Sequence, residues 1–243
     1  MTNQPSNLSA GPVPVDIIDP GPGTGVMIWR LGTQMCCLSS ASVGGGLTSP
    51  QWIINAAVPD DYTRTDLDTH AAELAHKHHL AGSGVALFTA ANLAAASRRC
   101  RHINGHQIAI DATVGVTHPT WAAHYNTETE SGSDTDMGID GPHCVGPGTI
   151  NIVIQMPCPL DPGAAVNLVM TATEAKTQAL MARRVPGTGT ASDAIVVVWP
   201  CGPSQIRFGG PRSDWGSATA LGVYEAVLAG LDRHEPKQAG VES

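Results

Sequence analysis

Short apolar segments of strand character alternate with segments of helical character along most of this chain. The runs NIVIQM and DAIVVVW are rich in β-branched residues, and a long helical pattern over residues 161–184 separates them. Such alternation favours layers of helix packed on a sheet that contains both parallel and antiparallel strands. The sequence therefore predicts an α/β (or α+β) fold: a single layered domain with a mixed sheet packed by helices.

The composition sets the bounds of this domain. With 243 residues, 42% of them hydrophobic, the chain can bury one large core. Residues 1–24 are rich in Pro, Gly, Ser and Asn, so we predict a flexible N-terminal arm there. The single domain is expected over residues 25–233, followed by a flexible tail at 234–243.

Periodicity and end signals predict the other elements. Two adjacent strands joined by a Gly-Thr turn are expected at VMIWRLG and TQMCCLSSAS, with further strands at QWIINAAV, residues 85–88 and HQIAIDATVGVTH. Helices are expected over residues 65–80, around 90–99 and over 217–232. In the first of these helices, Thr65 and Asp68 can form a capping box and Gly82 would close the far end.

Charge and hydropathy exclude several classes of function. The formal net charge is −8, from 13 basic and 21 acidic side chains, and no cluster of Lys and Arg could follow a phosphate backbone. The apolar runs are far shorter than the roughly 20 residues that a membrane helix needs. The N-terminus lacks the basic start and apolar core of a secretory signal. We expect a cytoplasmic protein that binds neither nucleic acid nor membrane.

The sequence offers little for a metal site or a disulfide. The six cysteines form no CxxC pair, so we predict reduced, buried thiols at positions 36, 37, 100, 144, 158 and 201. A spacing of three prevents the acid and histidines of one helical segment from sharing a ligand face: His70, Glu73, His76 and His79. The acidic segment DTDMGID resembles part of a calcium loop, but Val145 stands where the last glutamate ligand is needed. No metal and no cofactor are predicted.

Three loops rich in glycine and hydroxyl residues lie at the ends of predicted strands. SSASVGGG follows one strand, whereas GPGTIN and GTGTAS each precede one. In a sheet with antiparallel neighbours, the end of one strand lies beside the start of the next, so the three loops could converge and form a single pocket. Each loop taken alone is equally compatible with an ordinary tight turn that needs glycine.

Two stripes run along the helix predicted at residues 161–184. Small residues recur at spacings of three and four and are expected to pack against the sheet: Ala165, Leu168, Ala172, Ala175 and Ala179. A polar stripe recurs at the same spacings on another face: Asn167, Thr171, Glu174 and Gln178. This second stripe indicates either a functional face or, if the helix restarts at Thr171, a capping box that includes Glu174.

Several hydroxyl, acidic and basic residues could carry chemistry, although no nucleophile motif of the GxSxG type is present. The hydroxyl candidates are Ser39, Ser40, Thr149 and Thr173, and the candidate bases are Glu174, Asp193, Lys176 and His118. Spacing alone leaves the reaction class open, because a hydroxyl in a Gly-rich loop is more often a structural hydrogen-bonding group.

Five motifs follow one another over roughly residues 26–231: LSSASVGGGL (38–47), the strand with Asn55, GPGTINIVI (146–154), TATEAKTQAL (171–180) and GTGTASDAIVV (187–197). In this order they resemble the adenosylcobinamide amidohydrolases of the CbiZ type. The resemblance implies a salvage enzyme that hydrolyses the amide between the aminopropanol arm and the corrin ring of adenosylcobinamide, giving adenosylcobyric acid. It also implies a small-molecule corrinoid substrate and no consumption of a nucleotide.

Individual residues of these motifs receive expected roles. Glu174 or Asp193 would activate water or a hydroxyl, with Thr149 and Ser40 as candidate nucleophiles. Backbone N–H groups of residues 44–46 or 187–190 would stabilise the oxyanion. The substrate-binding candidates are Ser39, Gly44, Gly45, Gly46, Asn55, Asn151, Thr171, Thr173, Lys176, Gly187, Thr188, Gly189 and Thr190.

The chain departs from the family pattern after its TVGV strand, where residues 117–121 read THPTW instead of a small residue and an Asn-Ala pair. Two alternatives therefore stay open: a corrinoid-binding protein without hydrolysis, and a hydrolase of the same fold that acts on a different amide. The oligomeric state also stays open, a homo-oligomer included.

Overall fold

Two β-sheets lie face to face between layers of helix. The structure, a computed structural model, describes residues 11–21, 23–32, 34–123 and 148–233. The strands are β1 (Val15–Ile18), β2 (Val26–Arg30), β3 (Met35–Ser39), β4 (Gly46–Thr48), β5 (Trp52–Ala57), β6 (Gly84–Thr89), β7 (Ser97–Ile103), β8 (His106–Gly115), β9 (Thr149–Gln155) and β10 (Ala194–Pro200). The helices are α1 (Leu67–Lys77), α2 (Pro162–Ala182) and α3 (Asp214–Leu231), and a short 3₁₀ turn spans Leu93–Ala95.

Both sheets are mixed. The four-stranded sheet has the order β1-β2-β5-β6, in which β5 and β6 are parallel. The six-stranded sheet has the order β4-β3-β10-β9-β8-β7, in which β9 and β10 are parallel. The predicted α/β class with mixed pairing is confirmed, but two sheets replace the single expected one. The predicted pairing of β2 with β3 is wrong, because the connection between them carries the chain from one sheet to the other.

Three apolar clusters hold these layers together. α1 packs on the outer face of the four-stranded sheet through Ala71 and Ala75. The facing sides of the two sheets meet in a second cluster that includes Trp29 and Val196. α2 and α3 cover the other face of the six-stranded sheet. The layers therefore follow the order helix, sheet, sheet, helix.

Side chains along β9 alternate between two of these clusters. Ile150, Ile152 and Ile154 belong to the cluster under α2 and α3, whereas Val153 belongs to the cluster between the sheets. Because successive side chains of a strand point to opposite faces, Thr149 and Asn151 face the other sheet. This alternation decides which polar residues can meet between the sheets.

α2 is one uninterrupted helix. The Asp161 side chain caps it by accepting a hydrogen bond from Gly163 N at 3.0 Å, and Pro162 occupies the first turn, where its missing N–H costs nothing. The predicted small-residue stripe is buried against the six-stranded sheet, which confirms its role. Because the helix does not restart at Thr171, the capping box proposed for Glu174 is not formed.

Other end signals were misleading. α1 starts after Asp66, whose side chain makes no capping hydrogen bond, so the predicted box of Thr65 and Asp68 does not form; the helix ends before His78 and does not reach Gly82. The helix expected around residues 90–99 is a 3₁₀ turn followed by β7. Within the segment predicted as a flexible arm, residues 15–18 form β1 and pair with β2.

One pair of cysteines contradicts the prediction of reduced thiols. Cys36 and Cys201 form a disulfide, with their Cα atoms 5.4 Å apart, because β3 and β10 are antiparallel and the start of one lies beside the end of the other. Cys37 and Cys158 are buried as expected, and burial raises the pKa of the Cys37 thiol to about 12. The acidic segment DTDMGID and Cys144 lie outside the described residues.

Candidate active site

A cavity of about 700 Å³ opens at the edge of the sheets where β9 and β10 begin and where β3, β5 and β6 end. The parallel pairing of β9 with β10 and the antiparallel pairing of β3 with β10 bring three loops to this edge. Each loop lines the cavity: Ser40, Ala41 and Ser42 from the first, Gly148, Thr149 and Asn151 from the second, and Ala191, Ser192 and Asp193 from the third. The predicted convergence of the three loops is confirmed.

A pair of hydroxyl groups lies in the wall of this cavity. Thr149 Oγ1 and Ser192 Oγ are 2.8 Å apart, and either oxygen can donate the hydrogen bond. Ser192 Oγ also lies 3.4 Å from the carbonyl oxygen of Gly148. Among the described residues, no carboxylate or imidazole bonds to either hydroxyl. Thr149 was a sequence candidate, whereas Ser192 was missed because only the fold pairs it with Thr149.

Asp193 organises the loops around this hydroxyl pair. Its Oδ1 accepts hydrogen bonds from Ile150 N at 2.9 Å and from Thr190 Oγ1 at 2.5 Å. Its Oδ2 accepts from Thr190 N at 3.1 Å and from Lys176 Nζ. With both oxygens doubly engaged, the carboxylate fixes the start of β9 and its own loop, and among the described residues it makes no hydrogen bond to Thr149 Oγ1. This geometry supports a positioning role for Asp193 and gives no support to a role as the base.

Lys176 is buried in α2, only 6% exposed, and forms an ion pair with Asp193. The sequence made Lys176 a candidate base and substrate-binding residue, but its Nζ bonds to Asp193 and the residue is not part of the cavity wall. Gly189 lies against this ion pair so closely that a Cβ atom at that position would overlap both charged groups. The glycine in GTGTAS therefore makes room for the ion pair.

Backbone donors of the loop 187–190 are already engaged. Gly187 N donates to Val185 O, Thr188 N and Gly189 N donate to Thr120 O, and Thr190 N donates to Asp193. They are thus not available to an oxyanion. Thr120 lies in the THPTW segment and accepts two of these hydrogen bonds, so that segment supports the loop from outside the cavity.

The first loop contributes in part. Ser40 lines the cavity, and its Oγ accepts a hydrogen bond from Ile195 N at 3.0 Å. The Ser39 hydroxyl turns back to accept from Ala41 N at 3.0 Å. Gly44, at φ +70°, packs against the backbone of β6, where a side chain would not fit. Residues 44–46 are not part of the cavity wall, so nothing in this geometry supports them as the oxyanion site.

Three candidates on α2 lie away from the cavity wall. Glu174 is exposed, Thr173 Oγ1 donates to Val169 O at 2.8 Å, and Thr171 Oγ1 donates to Gly209 O at 2.9 Å. The threonine hydroxyls thus satisfy backbone carbonyls of α2 and of the segment before α3. Of the original catalytic and binding candidates, four line the cavity: Ser40, Thr149, Asn151 and Asp193.

A buried amide pair joins the two sheets beneath the cavity. Asn151 Nδ2 of β9 donates to Asn55 Oδ1 of β5 at 2.9 Å and to Phe88 O of β6 at 3.1 Å. Asn55 Nδ2 donates in turn to Thr113 Oγ1 of β8 at 2.9 Å. Asn55 therefore supports Asn151 from the opposite sheet.

An aromatic wall and a charged rim complete the cavity. Tyr62 and Phe88 line it, and His70 stacks on Phe88 while its Nδ1 lies 2.6 Å from the Tyr62 hydroxyl. Burial and the charge of Arg64 lower the pKa of His70, and burial raises the pKa of Tyr62. Arg64 on the rim is held by two carboxylates, of Asp66 and Glu73. Its hydrogen bonds lower the pKa of Asp66 to about 2.

A family model described as adenosylcobinamide amidohydrolase matches residues 21–239. The chain belongs to the adenosylcobinamide amidohydrolase family. A relative of that name from Halobacterium salinarum is 30% identical over 199 residues, covering 81% of this chain and 80% of that one. Another from Methanosarcina mazei is 23% identical over 202 residues, covering 79% and 88%.

Membership of this family makes the protein an amide hydrolase. Among solved structures, the PH0078 protein from Pyrococcus horikoshii matches 92% of this chain and 84% of its own with a TM-score of 0.46 and 13% identity. In the part of the chain that the structure describes, no group of three or more His, Cys, Asp or Glu side chains is placed to hold a metal ion. None of the helices described here is both long and apolar enough to cross a membrane.

Proposed function

We propose that this amidohydrolase cleaves the amide between the aminopropanol arm and the corrin ring of adenosylcobinamide, releasing aminopropanol and adenosylcobyric acid. The observation that carries the proposal is the hydroxyl pair of Thr149 and Ser192, which lines a cavity of about 700 Å³. Relatives of the same family carry the name of this reaction. We expect the reaction to take place in the cytoplasm.

The lining of the cavity suits a neutral, largely apolar ligand with amide arms. Apolar and aromatic side chains form much of the wall: Val58, Pro59, Tyr62, Leu67, Leu87 and Phe88. Hydroxyl and amide side chains also line it, and the charged lining residues are Asp60, Arg64 and Asp193. A site of this kind binds a ligand through apolar contact and orients it through a small number of polar groups. The amide arm, and not the whole macrocycle, is the part that we expect to reach the hydroxyl pair.

Thr149 is the nucleophile of the proposed reaction. Its Oγ1 adds to the amide carbonyl carbon while its proton passes to Ser192, and the Ser192 hydroxyl delivers a proton to the departing amine as the C–N bond breaks. Water then hydrolyses the ester on Thr149, giving the carboxylic acid and restoring both hydroxyls. Asp193 and Lys176 keep the two hydroxyl groups within hydrogen-bonding distance of each other by fixing the starts of β9 and β10.

The test is a mass spectrum of adenosylcobinamide after incubation with purified, chelator-treated protein. Loss of the aminopropanol arm, with the product mass of adenosylcobyric acid, is expected for the wild type and for Glu174→Gln, because Glu174 is exposed and outside the cavity wall. Thr149→Val should lower turnover by about 1,000-fold or more, whereas Thr149→Ser should retain part of it.

Two results would contradict the proposal. An unchanged substrate mass, persisting after divalent metals are restored, would exclude cobinamide as the substrate. If the coloured corrinoid then travels with the protein through gel filtration, the protein is a corrinoid binder; if it does not, the substrate is a different amide. Full activity of Thr149→Val would exclude Thr149 as the nucleophile and leave Ser40 as the hydroxyl to test next.

A further inference from the structure

One buried acceptor, on a residue that lines the cavity, has no partner. Asn151 lines the cavity and is 2% exposed, and it follows Thr149 by two residues on the same face of β9. Its Oδ1 is buried and, within the described parts of the chain, receives no hydrogen bond. Buried side-chain acceptors are normally satisfied, because a missing hydrogen bond leaves the cost of desolvation unrecovered.

The orientation of the Asn151 amide is fixed by its surroundings. Its Nδ2 faces two acceptors, Asn55 Oδ1 and Phe88 O, at 2.9 and 3.1 Å. A flipped amide would turn its oxygen toward both of these oxygens, so the assignment of nitrogen and oxygen follows from the network. Reversing Asn55 as well would not permit a flip, because the Phe88 carbonyl oxygen can only accept a hydrogen bond and would then face the Asn151 oxygen. The free Oδ1 is thus built into the site.

We propose that Asn151 Oδ1 accepts a hydrogen bond from the N–H of the scissile amide and so selects secondary amides as substrates. This inference rests on the proposed function. Residues i and i+2 of a strand lie roughly 7 Å apart on one face. That span accommodates a carbonyl carbon in contact with Thr149 Oγ1, followed by the C–N bond and an N–H···O hydrogen bond to Asn151. Esters and N-alkylated amides lack this donor and would leave Oδ1 unsatisfied.

The test compares three substrates that differ at one atom: the corrinoid amide, the corresponding ester of the same arm, and the N-methylated amide. For the wild type we expect kcat/KM for the N-methylated amide to be at least about 100-fold below that of the parent amide. Asn151→Leu should lower kcat/KM for the parent amide by a similar factor while changing ester hydrolysis by less than about threefold. The changed amide-to-ester ratio is the signature that a merely structural role would not produce.

A matched control separates recognition from packing. Thr113→Val removes the hydroxyl that supports Asn55 but leaves Asn151 Oδ1 in place. It should lower stability without changing the amide-to-ester ratio. If Asn151→Leu fails to fold, as judged by circular dichroism and gel filtration, the N-methylated amide still tests the proposal on the wild-type protein.

Three outcomes would overturn the inference. Equal losses on amide and ester in Asn151→Leu would show that Asn151 only supports the fold. Equal kcat/KM values of the wild type for the parent and N-methylated amides would show that the N–H is not recognised. If the wild type turns over none of the three substrates, the proposed function itself is overturned, and the inference with it.

Discussion

Lys176 and Asp193 form the charged pair on which the geometry of the site depends. Both side chains are largely buried, at 8% and 12% exposed, so neither charge could be tolerated there alone. The sequence identified both residues as candidates for the site but did not indicate that they pair. Glu174 is nearer in sequence, yet the helix turns it to solvent, and only the packing of α2 under β10 brings Lys176 to Asp193.

Removing one partner of this pair should be costly. We expect Lys176→Met to lower the free energy of unfolding by about 3 to 5 kcal/mol, since it leaves the Asp193 carboxylate buried and uncompensated. The double variant Lys176→Met with Asp193→Asn should recover part of that loss. Urea denaturation of the wild type, Lys176→Met, the double variant and Glu174→Gln measures both effects. Glu174→Gln is the control, and its free energy of unfolding should stay within about 0.5 kcal/mol of the wild type. A loss in Glu174→Gln as large as that in Lys176→Met would contradict the assignment.

His70 should report on the electrostatics of the cavity wall. Its pKa is lowered by burial and by Arg64, so the folded protein binds fewer protons there than the unfolded chain does. The free energy of unfolding therefore keeps its full contribution from His70 above the unfolded pKa of roughly 6.5, and it loses that contribution as the pH falls through the folded pKa. An NMR titration of the imidazole should give a value below 6.5, and Arg64→Gln should raise it. Lys77→Gln should leave it nearly unchanged; a folded pKa above 6.5 would refute the prediction.

At the level of elements, the central strands and α2 could be predicted because their sequence patterns are unambiguous. β10 is a continuous apolar run and β9 is buried at every position, as expected for parallel strands covered on both faces. β7, with the sequence SRRCRHI, was missed because its arginines obscure the strand pattern. It lies at the edge of the six-stranded sheet, where charged residues are tolerated and discourage further pairing.

The separation into two sheets could not be predicted for a different reason. Strand patterns record which residues are apolar, but they do not record which strands pair. β2 and β3 are neighbours in sequence and belong to different sheets, whereas β3 pairs with β10 from the other end of the chain. The convergence of the three loops was still predictable, because it depends only on strand direction at one edge.

Gly189 tests the tight fit between the loop before β10 and helix α2. Gly189→Ala should lower the free energy of unfolding by about 1 to 3 kcal/mol and reduce amide hydrolysis, because the added Cβ displaces the Lys176–Asp193 pair. Gly163→Ala in the first turn of α2 is the matched control. Its Cβ would lie 3.4 Å from Asp161 Oδ1, an ordinary contact, so it should be neutral or slightly stabilising. Thermal unfolding and activity that are unchanged in Gly189→Ala would show that the loop is free to move.

At the scale of the whole molecule, networks of buried polar side chains add to the apolar packing between the two sheets, and two of them stand out in the part of the chain that the structure describes. One is the amide pair of Asn55 and Asn151 beneath the cavity. The other is the Asp111 carboxylate of β8, which accepts hydrogen bonds from Trp29 Nε1 of β2 at 3.0 Å and from Arg98 of β7 at 2.7 and 2.8 Å. These partners are far apart in sequence. No local pattern identifies such contacts, and they fix how the sheets face each other.

Asp111 should therefore control the stability of the whole fold. Asp111→Ala leaves the buried Trp29 N–H without an acceptor and Arg98 without a counter-charge, so we expect it to lower the free energy of unfolding by about 3 to 5 kcal/mol. In a double-mutant cycle with Trp29→Phe, the coupling between the two residues should be about 1.5 to 3 kcal/mol, the range for a hydrogen bond to a charged group. Guanidinium denaturation at neutral pH, followed by circular dichroism, gives all four values. Because the cavity lies between the same two sheets, the temperature at which amide hydrolysis is lost should fall together with the unfolding temperature. A coupling near zero would mean that the sheets are oriented by apolar packing alone.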